Sequence, residues 1–206
     1  MIIIWLVVFV AAAYLLGAIP TAYLFARYLT KVDITRYGSG NVGATNALRL
    51  LGKLPGALVL FLDLAKGMVT VTLIAGFALR LLSNIELTIL KSILGVAVVI
   101  GHNWSVYLKF KGGKGVAASA GVLAGLDPFL LLIAVLVFMC MLILTKFVSL
   151  ASITAAVSIP VFMVIFAQPA EFIIASVILC MLIVFRHQGN IKRLLRGDER
   201  KIFSKW

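Results

Sequence analysis

Seven apolar runs divide the chain, at roughly 2–26, 54–79, 87–101, 115–126, 128–145, 147–167 and 168–186. Lipid offers no partner to a backbone amide, so such runs predict helices, which satisfy their hydrogen bonds within the segment. Five of the seven approach or exceed the ~17 residues that a crossing requires. The run at 87–101 can lengthen into its flanks, whereas 115–126 is bounded by Lys114 and Asp127. As one helix, residues 115–145 would reach ~46 Å at ~1.5 Å per residue, long for one crossing and short for two.

Charge decides the count. All the basic residues except Lys66, Arg80 and Lys91 fall in the first, third and fifth connections or in the tail, sixteen of nineteen. The second, fourth and sixth connections carry Arg80, Glu86, Asp127 and Glu171. By the positive-inside rule the amino terminus lies outside and the carboxyl terminus in the cytoplasm, an arrangement that seven crossings satisfy and six do not. The expected fold is all-α: a polytopic integral membrane protein with seven transmembrane helices, the fourth (GVAASAGVLAGL) short or re-entrant. Residues 1–206 then form one domain, with a basic interfacial tail at 191–206.

Composition agrees. Hydrophobic residues make up 63% and charged residues 13%, against about 25% charged in soluble proteins, and the mean hydropathy is +1.16. A soluble fold cannot cover that much apolar surface. The net charge of +12 is accounted for by the inner face, so no nucleic-acid partner is expected. No basic residue precedes the first apolar run, and the first, Arg27, lies beyond it, so the run is read as a retained helix rather than a cleaved signal. Cys140 and Cys180 sit in apolar runs without metal-ligating neighbours and are read as packing or lipid-facing residues.

Three polar stretches interrupt this pattern: RYGSGNVGATNALR (36–49), GHNWSVYLKFKGGKG (101–115) and RHQGNIKRLLRGDERK (186–201). All three fall on the cytoplasmic side of the expected topology. In the first, Gly38, Gly40 and Gly43 satisfy G-x-G-x-x-G, yet the strand and helix that give a dinucleotide fingerprint its meaning are missing. The physics beneath the motif still applies. Those glycines permit positive φ and close backbone approach, and successive N–H groups can turn inward as an anion nest. Ser39, Asn41, Thr45 and Asn46 add donors around Ala44; Thr45 or Asn46 can cap a short helix with Arg49 in its first turn.

The second stretch interleaves Lys109, Lys111 and Lys114 with Gly112, Gly113 and Gly115. It reads as another backbone-and-ammonium anion site, or as a lysine cluster touching anionic lipid heads. It is not a Walker A loop, because Gly115 stands where Ser or Thr binds magnesium. His102 is expected to be a local hydrogen-bonding group. In the third stretch, His187 and Asn190 share a helical face, and Ile191, Leu194 and Leu195 among Lys192, Arg193 and Arg196 suggest an interfacial amphipathic helix. Asp63 and Lys66, spaced i, i+3 within an apolar run, are read as a structural pair beneath the site.

The segments G38-S-G-N-V-G-A-T-N-A-L-R49, G101-H-N-W-S-V-Y-L-K-F-K-G-G-K-G-V-A117 and H187-Q-G-N-I-K-R-L-L-R-G-D-E199, in that order, closely resemble the three signature motifs of the bacterial acyl-phosphate-dependent glycerol-3-phosphate acyltransferases. L62-D-L-A-K-G67 is also similar to that family. Two positions depart from it: Ser105 stands where the family usually has Pro, and Gly189 replaces a commonly polar residue. The first is expected to loosen the loop leading to the lysines.

The resemblance implies a multi-pass enzyme of the bacterial cytoplasmic membrane that moves a fatty acyl group from acyl phosphate to the 1-hydroxyl of glycerol 3-phosphate. Lysophosphatidic acid and phosphate are the products. By position, Ser39, Arg49, Lys114, His187 and Asn190 become the catalytic set. Gly38, Gly40, Asn41, Gly43, Ala44, Thr45, Asn46, His102, Lys111, Gly112 and Gly113 become the substrate-binding set. No cofactor or metal is expected, membrane lipids are the surroundings, and the chain is expected to act as a monomer. No H-x-x-x-x-D pair exists, since Tyr107 and Lys192 occupy the matching positions after His102 and His187. An acyl phosphate carries its own good leaving group, so positioning and charge stabilisation can supply the catalysis. The departing phosphate, or His187, would take the hydroxyl proton, with Ser39 bonded to phosphate rather than acylated. A permease for an organic phosphate is the competing reading; transporters place such sites near the midplane on broken helices, whereas these stretches collect at one end.

Overall fold

A computed structural model describes residues 1–202, and these form helices and loops without a strand. The far end of the expected basic tail, 203–206, lies outside the described residues. Eleven α-helices follow in order: α1 Ile2–Ala18, α2 Thr21–Thr30, α3 Ala44–Leu51, α4 Lys53–Val69, α5 Ala75–Leu81, α6 Leu87–Asn103, α7 Val116–Leu126, α8 Pro128–Thr145, α9 Val148–Ile165, α10 Ala170–Arg186 and α11 Gln188–Arg196.

Five stretches are long and apolar enough to cross a bilayer: α1 with α2, α4 through α5, Leu87–Leu108, α8 and α9. Counting α10 and α11, bent by 57°, as one span adds a sixth. At 11 residues, about 16 Å at ~1.5 Å per residue, α7 is too short to cross unaided.

Two of the long runs are interrupted. Pro20 separates α1 from α2: it lacks an N–H and drives its predecessor Ile19 out of the helix, to ψ 115°. Between α4 and α5 the chain winds one π-helical turn at Thr70–Ile74, flanked by hydroxyls of Thr70 and Thr72 that donate to the carbonyls of Lys66 and Met68 at 2.8 and 2.7 Å.

Small residues set the closest helix pairs, as expected where lipid supplies no hydrophobic drive between helices. A Cβ on Gly67 of α4 would run into the Ala118 carbonyl of α7, and one on Gly121 of α7 into the Leu64 carbonyl of α4. Gly17 and Gly101 bring α1 and α6 together in the same way. Val71, Val98, Val99, Ala118, Val122 and Leu179 form the apolar centre between these elements. At its carboxyl end α7 is held by Lys91, whose ammonium donates to the Gly125 carbonyl at 3.3 Å. Asp127 then caps α8 by accepting from the Phe129 and Leu130 amides at 2.9 and 3.2 Å.

The expected Asp63–Lys66 pair forms. Lys66 donates to Asp63 Oδ1 at 3.0 Å, to Thr21 Oγ1 at 3.2 Å and to the Ile19 carbonyl, and the Thr21 hydroxyl donates to Asp63. At the α1–α2 break that carbonyl accepts both from the buried ammonium and from the Thr21 amide, the latter at 3.0 Å. Each charge, alone, would cost about 2.5–3.5 kcal/mol on insertion scales.

Candidate active site

The loop before α3 is built by short-range polar bonds. Asp33 accepts from the Thr35 amide at 3.0 Å and from its hydroxyl at 2.7 Å, which winds Ile34–Arg36 into a 3-10 turn. Gly38 and Gly40 then adopt the left-handed region, φ 63° and 68°, and reverse the chain. The buried Asn46 amide ties the loop into a knob: its Oδ1 accepts from the Ser39 N–H at 3.1 Å, and its Nδ2 faces the carbonyls of Ile34, Tyr37 and Asn41 at 3.3, 3.1 and 3.1 Å.

This corrects three expectations. The loop is not an open nest, because the Gly40 amide goes to the Tyr37 carbonyl and the Asn41 amide to Ser39 Oγ, as the Ser39 amide goes to Asn46. Gly43 is extended, φ −156°, rather than at positive φ. Neither Thr45 nor Asn46 caps α3, which starts at Ala44 and carries Arg49 in its last turn. The donors offered to an anion are the first-turn amides of Ala44 and Thr45, which a helix start leaves without intrahelical partners; both residues line the cavity described below.

The loop after α6 is packed rather than tied. The Gly113 amide donates to the His102 carbonyl at 3.0 Å. A Cβ on Gly112 would enter the His102 and Asn103 carbonyls, and one on Gly113 the His102 imidazole. From the opposite side Arg186 donates through Nε to the Gly113 carbonyl and through Nη2 to the Gly112 carbonyl, both at 2.9 Å. Lys114 emerges into the cavity, whereas Lys109 and Lys111 are exposed. Ser105 does not loosen this loop: buried, its hydroxyl donates to the Ala18 carbonyl at the end of α1, a bond no proline can make.

The third stretch completes the site. Lys114 Nζ donates to Asn190 Oδ1; Asn190 Nδ2 donates to Glu199 Oε1 at 2.6 Å; Ser149 Oγ donates to the same oxygen at 2.6 Å; Arg193 Nε reaches Glu199 Oε2 at 2.7 Å. The chain after α11 therefore folds back over the cavity, where the Ile202 amide bonds the Lys146 carbonyl at 2.9 Å and Arg49 Nη2 the Lys201 carbonyl at 3.4 Å. His187 Nδ1 lies 2.7 Å from the Ile183 carbonyl. A carbonyl only accepts, so this nitrogen carries the hydrogen and neutral His187 keeps Nε2 as an acceptor.

A cavity of about 410 Å³ joins these parts. Ser39, Arg49, Lys114, His187 and Asn190 all line it, with Asn41, Gly43, Ala44, Thr45, Asn46 and His102. Gly38, Gly40, Lys111, Gly112 and Gly113 do not; Gly112 and Gly113 stand behind Lys114 as its backing. Leu48, Ala57, Leu60, Phe138 and Leu142 add apolar lining to the same cavity. Asp63 and His102 also border the cavity, with His102 Nδ1 3.8 Å from Asp63.

Burial, then the guanidiniums of Arg193, Arg186 and Arg49, bring the Lys114 ammonium down to about 8 against the pull of Glu199. Burial and the Lys114 charge push His187, just beyond the end of α10, down to about 4. Burial opposes ionisation of Glu199, yet hydrogen bonds from Ser149, Asn190 and Arg193 hold it below the usual carboxylate range. Glu199, Ser149 and Arg186 are parts that the sequence reading left unassigned. Glu199 ends the third motif, and Ser149 and Ser152 are polar positions at i, i+3 in the first turns of α9. Among the described residues no three His, Cys, Asp or Glu side chains come together as a metal site.

Fold and site together define a multi-pass membrane protein with a cavity lined by cations, helix-start amides and apolar side chains. The chain belongs to the glycerol-3-phosphate acyltransferase family, whose model matches residues 7–197. It is 47% identical over 193 residues to the glycerol-3-phosphate acyltransferase of Thermoanaerobacter sp. (strain X514), covering 94% of this chain and 93% of the relative. To that of Staphylococcus aureus (strain JH9) it is 40% identical, covering 98% of both. The crystal structure of PlsY (YgiH), an integral membrane glycerol 3-phosphate acyltransferase, in its glycerol 3-phosphate form superposes with a TM-score of 0.86 at 38% identity, covering 95% of this chain and 94% of that one. Its lysophosphatidic acid form superposes with a TM-score of 0.84. The chain is thus a membrane acyltransferase, and the permease reading is set aside.

Proposed function

We propose that this acyltransferase takes its acyl group from acyl phosphate, transfers it to the 1-hydroxyl of glycerol 3-phosphate, and releases lysophosphatidic acid and inorganic phosphate as the first step of phospholipid synthesis. The observation that carries this reading is the convergence of Ser39, Arg49, Lys114, His187 and Asn190, from three distant stretches, on one cavity that also has apolar lining. Both substrates carry phosphate, and one carries an acyl chain. Cations and helix-start amides suit the first, and the apolar lining from Leu48, Leu60, Phe138 and Leu142 suits the second. The glycerol 3-phosphate and lysophosphatidic acid forms of the solved relative support the acceptor and the product.

In the proposed reaction Arg49, Lys114 and the α3 amides hold the phosphate of glycerol 3-phosphate, and Ser39 bonds phosphate. The 1-hydroxyl attacks the acyl carbonyl, the C–O bond to phosphate breaks, and the hydroxyl proton passes to the departing phosphate. His187 is a weak base at a pKa of about 4, which favours the phosphate dianion as acceptor and leaves the imidazole to orient the hydroxyl. No acyl-enzyme forms. The chain would work as a monomer in the bacterial cytoplasmic membrane. There it would make seven crossings, α7 included, with the amino terminus outside, the site at the inner leaflet and the basic segment after Asn190 along the interface.

Purified protein offered acyl phosphate, acyl-CoA and acyl-carrier protein in parallel tests the donor. Product from acyl phosphate is expected, and activity with a thioester alone overturns the assignment. Rapid quenching tests direct transfer, since an acyl group trapped on Ser39 would rule it out.

A further inference from the structure

Lys114 owes its place to the residues behind it, and they make an unusual mount. Gly112 and Gly113 have no side chains to wedge the loop, and two glycines leave a chain more conformational freedom than any other pair. One side of the loop rests on the end of α6 through the Gly113 amide and the His102 carbonyl, 3.0 Å apart. The other side is held by one side chain: Arg186 binds the two successive carbonyls with Nε and Nη2. Beneath it the centroid of the Trp104 ring lies 5.6 Å from the guanidinium carbon, within cation–π reach. Arg186 does not line the cavity, and two of its donors are spent on the loop carbonyls.

We propose that Arg186 is a positioning residue: it clamps the Gly112–Gly113 backbone so that Lys114 projects at the phosphate of glycerol 3-phosphate. This rests on the substrate assignment given above. Arg186 is the last residue of α10, one before His187 and four before Asn190. The same corner of chain thus fixes the backbone of Lys114 through Arg186 and its ammonium through Asn190. Lysine cannot replace the clamp, because an ammonium is a single point charge while a guanidinium presents two donors in a fixed geometry matched to two carbonyls. The arrangement also has an electrostatic signature: the Arg186 charge is one of those that depress Lys114, together with Arg193 of α11 and Arg49 of α3, while Glu199 of the returning segment opposes them and His187 lies alongside.

The test compares the full-length purified enzyme with Arg186→Lys, Arg186→Gln and Lys114→Ala. For Arg186→Lys we expect the KM for glycerol 3-phosphate to rise roughly ten- to hundredfold, with kcat within about threefold and the KM for acyl phosphate unchanged. The alkaline limb of kcat/KM stays in place, because the charge is kept. In Arg186→Gln the same KM rises and the limb moves to higher pH. Where Arg186→Gln fails to accumulate in membranes, Arg186→Lys carries the test. An unchanged KM for glycerol 3-phosphate in Arg186→Lys overturns the proposal. So does a rise in the KM of both substrates together with a lowered Tm, which marks general loosening. If Lys114→Ala itself leaves the glycerol 3-phosphate KM unchanged, the substrate assignment has failed, and the clamp with it; a raised KM in Lys114→Ala beside a normal one in Arg186→Lys condemns the clamp alone.

Discussion

The two glycine-rich loops at the cavity look alike on paper and work differently. In the loop before α3, Gly38 and Gly40 are needed for their left-handed φ, and the Asn46 side chain holds the turn they make. In the loop after α6, Gly112 and Gly113 have ordinary φ and are needed because His102, Asn103 and Arg186 leave no room for a Cβ or for a free carbonyl. The first loop delivers a helix start and, one turn on, a guanidinium. The second delivers one ammonium at the end of a braced strut. A phosphate site can therefore be assembled from glycine by two separate physical routes in one cavity, and each route fails in its own way.

The largest expected effect belongs to the first route. Arg49→Ala removes the only cation that α3 carries into the cavity, and charge-assisted bonds to phosphate in a partly desolvated site are the strong ones. A fall of about 10²–10³-fold in kcat/KM for glycerol 3-phosphate is expected, with the KM for acyl phosphate less affected, as steady-state assays of both substrates would reveal. Equal losses for the two substrates would mean that the loops do not divide the labour as described.

The second route has a pH signature. Lys114, held to about 8, is charged below that pH and neutral above it, so kcat/KM for glycerol 3-phosphate falls about tenfold per unit once the pH exceeds the limb. Bound phosphate favours the ammonium, so the limb in kcat lies at higher pH than the limb in kcat/KM. Lys114→Arg, which does not titrate in this range, removes the limb. Unfolding cannot mimic this. Between about 8 and 10.5 the unfolded chain binds more protons at this lysine than the folded one, so its contribution to stability rises with pH there.

Much of this was legible in the sequence. The five residues that the family resemblance implied as the catalytic set do share one cavity. Asp63 and Lys66 were legible as a pair because a lone charge in lipid is too costly. What could not be read is which carbonyl or side chain a donor meets. The loop amides were available for an anion until Asn46 was seen to consume one of them. Ser105, read as a loosening substitution, became a tie because the end of α1 happens to lie beneath it. Glu199 was visible as the end of the third motif but without a role, and its value comes from Ser149, fifty positions earlier, and Asn190, nine positions earlier. Pro20 lay inside a run that was read as continuous from 2 to 26, and the break it makes there shows only in the backbone.

The smallest expected effects separate the two uses of glycine most cleanly. At Gly40 the obstacle is φ +68°, with a Cβ standing 3.0 Å from the Thr35 carbonyl. Asparagine visits the left-handed region at modest cost, so Gly40→Asn should lose about 1 kcal/mol of stability or less and shift the glycerol 3-phosphate KM only a few-fold. At Gly113 the obstacle is the His102 ring, against which tolerance of positive φ is no help. Gly113→Ala and Gly113→Asn should both raise that KM, by about tenfold or more, and lower Tm, read by thermal unfolding in detergent. If asparagine rescued position 113 relative to alanine, or failed at position 40 as badly as at 113, the distinction between a glycine chosen for its torsion and one chosen for its missing side chain would not hold in this cavity. The two loops would then be variants of one device.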